Sequence, residues 1–176
     1  MAKPDRRCSF IWRTRTSTWR AAAAPPPVLN FDRNLGNFDG YFCDFDRNYA
    51  FGRVASDVEK VYQILWQATE IGIKTAIPGA TTNDIFNAMN KVIQDGGTIG
   101  NNVGRLGHGL GLQLTEPPSH RSGDKTIIKE NMVLTIEPAM EYAPGKMLVH
   151  EENIIIQKDG AELITKRAPQ EISVIK

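Results

Sequence analysis

Four segments of the chain set an acidic or imidazole group inside an otherwise apolar stretch, the costly place for a charge. They are Asp44 in GYFCDFDRN, His108 in RLGHGLGL, Glu137 in MVLTIEPAM and Glu151 in MLVHEENIII. Any one of them alone reads more simply as a residue at a strand end. Four in one small domain call for a compensating cation. Carboxylate oxygens with an imidazole nitrogen suit Mn, Fe, Co or Zn. Two such ions about 3.5–4 Å apart, sharing bridging carboxylates, would bring a water to ionise near neutral pH and would polarise a carbonyl. The glycines at 107, 109 and 111 leave space for backbone or substrate around His108. Pro138 favours an extended Glu137 and so fixes where its carboxylate points.

These residues need elements to hold them. Residues 28–52 read as two strands around a Gly- and Asn-bearing turn. Ser56 opens a helix, with Ser56 and Glu59 spaced as a capping box and Val58, Val61, Leu65 and Ala68 at helical intervals. A second helix starts at Thr81 or Thr82, carries Ile85, Met89, Val92 and Ile93 on one face and stops at Gly96-Gly97. Short strands are expected at 103–108, 110–115, 131–137, 147–157 and 161–165. Two helices packed on an antiparallel sheet give an α+β fold.

The chain has 176 residues, one domain's worth. Six of the 21 Lys and Arg and one of the 20 Asp and Glu fall in residues 1–27, so the body from 28 onward carries a net −4. That mild acidity argues against nucleic acid as a partner. No run of about 18 apolar residues is present, so no membrane helix is expected. Cys8 and Cys43 lack partners at metal-ligand spacing and read as inert, in keeping with a reducing, cytoplasmic setting. The Arg-rich leader and the AAAAPPP that follows it form a separate segment, read as a disordered or aberrant tail in preference to a transit peptide or a nucleic-acid-binding arm.

GY-x-x-D-x-x-R, GHGLG, MVLTIEP and HEEN follow one another as they do in the pita-bread metallopeptidases, the fold of methionine and Xaa-Pro aminopeptidases, prolidases and creatinase-like proteins. The resemblance runs over roughly residues 38–165. It implies a partial pita-bread fold in which two Asp, one His and two Glu hold two divalent ions (Mn, Co, Zn or Fe). Carried over, Asp44 resembles the bridging second Asp, His108 and Glu137 the ligands of one ion, and Glu151 the final bridging Glu.

Three departures accompany the resemblance. The family's first Asp stands one residue closer to the second than Asp32 stands to Asp44, and the position matching by count is Arg33, which cannot ligate a cation. Asp32 serves as a ligand if the turn or a β-bulge absorbs the extra residue. Asp46, on the same strand face as Asp44, is either a fallback ligand or the partner of a base. Seven residues after His108, where many relatives carry a substrate-contacting His, this chain has Thr115. Of the remaining histidines, His120 is expected in a solvated loop and His150 to face away from the metals. The front half of the family's fold corresponds here only to the leader. The region from 28 to 176 is therefore expected to be a C-terminal catalytic half, with an uncovered sheet edge and a tendency to form homodimers.

The reading that follows is a metal-dependent hydrolase similar to Xaa-Pro aminopeptidase or prolidase, acting on a peptide. Glu137 is the expected proton shuttle, His108 a ligand at the reacting centre and Thr115 a weak stabiliser of the intermediate. Two alternatives stand beside it. One is an inactive remnant or scaffold of the family. The other is a creatinase- or ectoine-hydrolase-like enzyme, C–N hydrolase or lyase, acting on a small molecule.

Overall fold

The computed structural model describes residues 29–100 and 104–175, with side chains in the first strand described from Asn37 onward. The leader expected over 1–27 and the side chain of Asp32 lie outside the described residues.

Strands β1 (Leu29–Phe38) and β2 (Tyr41–Phe51) form an antiparallel hairpin in unbroken register from Leu29↔Ala50 to Phe38↔Tyr41. Asp39 and Gly40 make the turn at φ 51° and 87°. Two left-handed residues in succession match the right-handed twist of the flanking strands, and Asp-Gly is a sequence that adopts them at low cost. Along β2 the residues alternate, and Asp44, Asp46, Asn48 and Ala50 form the buried row.

Helix α1 (Ser56–Thr75) begins as the spacing predicts but without the expected capping box. Ala55 occupies the N-cap position in an extended conformation with no side-chain cap, which moves Ser56 one position inside the helix. Asp57 and Glu59 in the first turn suit the positive end of the helix dipole instead. The capping box belongs to helix α2 (Thr82–Asp95): Thr81 Oγ1 accepts from Asp84 N at 3.2 Å, and Asp84 Oδ2 accepts from Thr81 N at 2.8 Å.

The remaining strands are β3 (His108–Gly109), β4 (Glu116–Ser119), β5 (Val133–Ile136), β6 (Ala139–Ala143), β7 (Lys146–Val149), β8 (Glu152–Gln157), β9 (Gly160–Leu163) and β10 (Ser173–Ile175). Five form an antiparallel sheet in the order β4-β3-β5-β8-β9; β6 and β7 pair separately, and β10 runs parallel to β2. The α+β layout is as expected, and one buried cluster including Leu65, Met89, Leu134, Ile136 and Ile154 joins the helices to the strands.

Several strand boundaries differ from expectation. Residues 110–115 are loop, because the register shifts between His108 and Gly109 and the Gly111 carbonyl is taken by the N–H of Phe42 at 2.8 Å. The stretch 147–157 is two strands, β7 paired with β6 and β8 paired with β5. Pro138 separates β5 from β6 just as His150 and Glu151 separate β7 from β8, and the His150 N–H donates to the Pro138 carbonyl at 3.0 Å. Since Ile136 lies opposite Glu152, the next step of that register brings Glu137 opposite Glu151, where both strands change partners. Among the described residues no helix is long and apolar enough to cross a membrane.

Candidate metal centre

Asp44 from the middle of β2, His108 from the start of β3 and Glu151 from the β7–β8 break are fully buried, and the Glu137 side chain, just after β5, is 17% exposed. The structure brings all four together. His108 Nδ1 lies 2.8 Å from the Gly109 carbonyl, an acceptor only, so Nδ1 carries the proton and donates. The lone pair is thereby left on Nε2, which stands 3.9 Å from Asp44 Oδ2 and 3.7 Å from Glu137 Oε2. Those separations exceed hydrogen-bond range. They are the spacing of ligands that share an ion, since atoms each 2.0–2.2 Å from one cation stand roughly 3–4 Å from one another. The His108 backbone N–H donates to Thr135 Oγ1 at 3.1 Å, which fixes the start of β3 against β5.

Two groups of three emerge, each with ligand atoms within 4.8 Å of one another: Asp44, His108 and Glu151, and Asp46, Glu137 and Glu151. Glu151 belongs to both. The buried donor set, carboxylate oxygens plus one imidazole nitrogen, fits a transition-metal dication. Asp32 sits opposite Arg47 in the hairpin register, whereas Asp44 sits opposite Leu35 and Asp46 opposite Arg33.

The neighbouring Glu152 does a different job. Equally buried, it accepts from Arg47 Nη2 at 2.9 Å, Thr165 Oγ1 at 2.5 Å, Arg167 Nη1 at 3.3 Å and Ala168 N at 2.7 Å. Arg47 also donates to the carbonyls of Asp46 at 2.8 Å and Glu151 at 2.7 Å, so this buried pair ties β2 to the segment that carries Glu151. Sequence reasoning missed this brace; its one signal was the doubled Glu of HEEN, of which alternation sends one to each face.

His150 packs on α1. Thr69 Oγ1 donates to the Leu65 carbonyl at 2.9 Å and so accepts from His150 Nδ1, also at 2.9 Å. Burial first, then Arg167 and Arg47, push its pKa down to about 3, so the ring is neutral. His120 is a correction. Expected in solvent, it is fully buried, because its N–H pairs with the Gly107 carbonyl at 3.0 Å and its carbonyl with Leu106 N at 2.8 Å. Gly107 makes this possible: at φ 139°, a Cβ there would collide with the Thr135 carbonyl and the His120 ring. Burial and then the nearby His108 lower the His120 pKa to about 4. Thr115 stands in the loop after β3, its hydroxyl accepting from Arg105 Nη2 at 3.4 Å.

Such a hairpin, helix pair and carboxylate–imidazole cluster make an α+β domain whose buried residues could hold a metal ion. A model of metallopeptidase family M24 matches residues 33–158, and the chain belongs to that family. It is 32% identical over 143 residues to an Xaa-Pro dipeptidase of Lactobacillus delbrueckii subsp. lactis, covering 80% of this chain and 38% of the relative. Among solved structures, it superposes on dipeptidase PepE from Mycobacterium ulcerans with a TM-score of 0.76 at 29% identity, covering 82% of this chain and 39% of that one. The prolidase from Pyrococcus furiosus gives 0.76 at 27%, covering 80% and 42%. The fold is thus a partial pita-bread fold, and the chain spans about two-fifths of the length of these relatives.

Proposed function

We propose that the chain is a peptidase of the Xaa-Pro dipeptidase type that holds two divalent ions between β2, β3, β5 and β8. The observation that carries this reading is the pair of three-residue groups joined through Glu151. Asp44, His108, Glu137 and Glu151 would hold one ion, and Glu137 and Glu151 would also serve the other. When bound, such ions supply an acidified water and Lewis-acid polarisation of the scissile carbonyl.

The chain's own residues do the rest. The Gly109 carbonyl keeps the His108 proton on Nδ1 and so keeps Nε2 available as a ligand. Glu137, the one partly exposed carboxylate of the four, reaches solvent and substrate, and it takes the proton from the attacking water and passes it to the departing amine. The Arg47–Glu152 brace holds Glu151 against β2. Thr115 donates a hydrogen bond to the developing oxyanion, a weaker contribution than an imidazole would give because a hydroxyl carries no proton charge at neutral pH.

The same Thr115, beside the Arg105 guanidinium, favours a second reading in which the substrate is a small anionic molecule carrying a C–N bond. Turnover of an Xaa-Pro dipeptide and of creatine by the Mn-loaded chain separates the two. Peptide cleavage that disappears in His108→Ala supports the peptidase reading, and turnover of neither substrate by metal-loaded protein overturns both.

A further inference from the structure

Asp46 is the fourth carboxylate of the cluster, and nothing in the four-motif pattern assigns it. It is 1% exposed and shares the buried row of β2 with Asp44. An oxygen of Asp46 lies within 4.8 Å of ligand atoms of Glu137 and Glu151, a group that excludes His108 and Asp44. Arg47, the next residue, donates to the carbonyls of Asp46, Glu151 and Lys166 and to Glu152.

An independent observation sits one step along the same row. Asn48 is 5% exposed, and its amide nitrogen donates to the Val149 carbonyl at 2.8 Å, which fixes the orientation of the amide. Its Oδ1 is buried without a hydrogen-bond donor. A buried acceptor of this kind is met by a water or a cation. It shares a face with Asp46, as strand alternation requires. The charge count agrees: Asp44, Asp46, Glu137 and Glu151, when ionised, carry −4, the complement of two divalent ions.

We propose that Asp46 ligates the second cation together with Glu137 and Glu151, and that Asn48 Oδ1 accepts a hydrogen bond from a water of that ion. The inference rests on the two-ion reading above and adds the residue that anchors the second ion to β2. It accounts for how the site is completed although the hairpin position matching the family's first Asp is Arg33, which lies opposite Asp46 in the register.

The test is equilibrium dialysis of the EDTA-stripped full chain against Mn2+ alone, with electron paramagnetic resonance of the loaded protein. Wild type should bind two Mn2+ and give a spin-coupled spectrum. Asp46→Asn should bind one and give an uncoupled spectrum, with second-ion affinity down at least tenfold, and Asp46→Glu should recover the second ion. Two ions of unchanged affinity in Asp46→Asn overturn the role of Asp46 while leaving the two-ion reading standing. One ion or none in wild type overturns both. Should Asp46→Asn fail to fold by circular dichroism, Asn48→Leu decides: a second-ion affinity weakened several-fold with the first unchanged supports the proposal, and two unchanged affinities overturn it.

Discussion

At the scale of single residues, what matters is the difference between neighbours that look alike in the sequence. Glu151 and Glu152 are adjacent and fully buried, yet one enters the cluster and the other is saturated by Arg47, Thr165, Arg167 and a backbone N–H. Glu152→Gln should therefore leave the ligand set intact while taking from two half-buried guanidinium groups their shared carboxylate. A stability loss of about 3–5 kcal/mol in a denaturant melt is expected. Glu137→Gln should act in the opposite sense. Stability changes little, and kcat falls by about 10²–10⁴ with KM less affected, as expected on losing a positioned proton carrier. Asp44, His108, Glu137 and Glu151, four of the five residues expected as ligands, lie together in the structure, and each stood out because an ionisable group inside an apolar strand breaks the ordinary pattern. His120 was not legible. Its burial depends on pairing with Gly107, thirteen positions earlier, and a Pro-Pro-Ser-His string carries no local trace of that contact.

Elements were read well where a local rule dominates and poorly where partners are distant. The β1–β2 hairpin, expected around a Gly- and Asn-bearing turn and found to turn at Asp39-Gly40, and both helices follow from turn chemistry and apolar spacing. The α1 cap did not, since Ser56-x-x-Glu59 fits the pattern but extended Ala55 places the first turn one residue earlier. The working capping box, Thr81 with Asp84, gives a measurable expectation: Thr81→Ala should cost about 1 kcal/mol in thermal or chemical unfolding. The stretch 147–157 looked like one strand because two apolar runs, 147–149 and 154–156, stand close together on either side of HEEN. Only the register shows the change of sheet at His150 and Glu151, and that break is what turns Glu151 towards β2.

For the molecule as a whole, the buried histidines set an acid limit. His120 and His150 have folded pKa values near 4 and 3, below the usual value of about 6.5, so the unfolded chain binds more protons between those limits. Stability from this source is complete above about pH 6.5 and is lost as pH falls towards 3, by on the order of 3–5 kcal/mol for each ring. Unfolding midpoints measured from pH 7 down to pH 4 should drop steadily, and double replacement by uncharged residues should flatten the slope if the fold is retained. Exposed apolar groups at the hairpin tip and along the β2–β10 end, including Phe38, Tyr41, Phe51 and Val174, lead us to expect self-association of the chain. Sedimentation velocity across a concentration series checks this, and a species that stays monomeric throughout contradicts it.

The account depends on a cation between His108, Asp44 and Glu151. The most direct measurement is an anomalous difference map from crystals of the chain soaked in Mn2+. A peak within about 2.0–2.3 Å of His108 Nε2 and of oxygens from Asp44 and Glu151 is the expected result. Well-ordered crystals with those side chains in place and no peak among them, or with the peak at other residues, would contradict it.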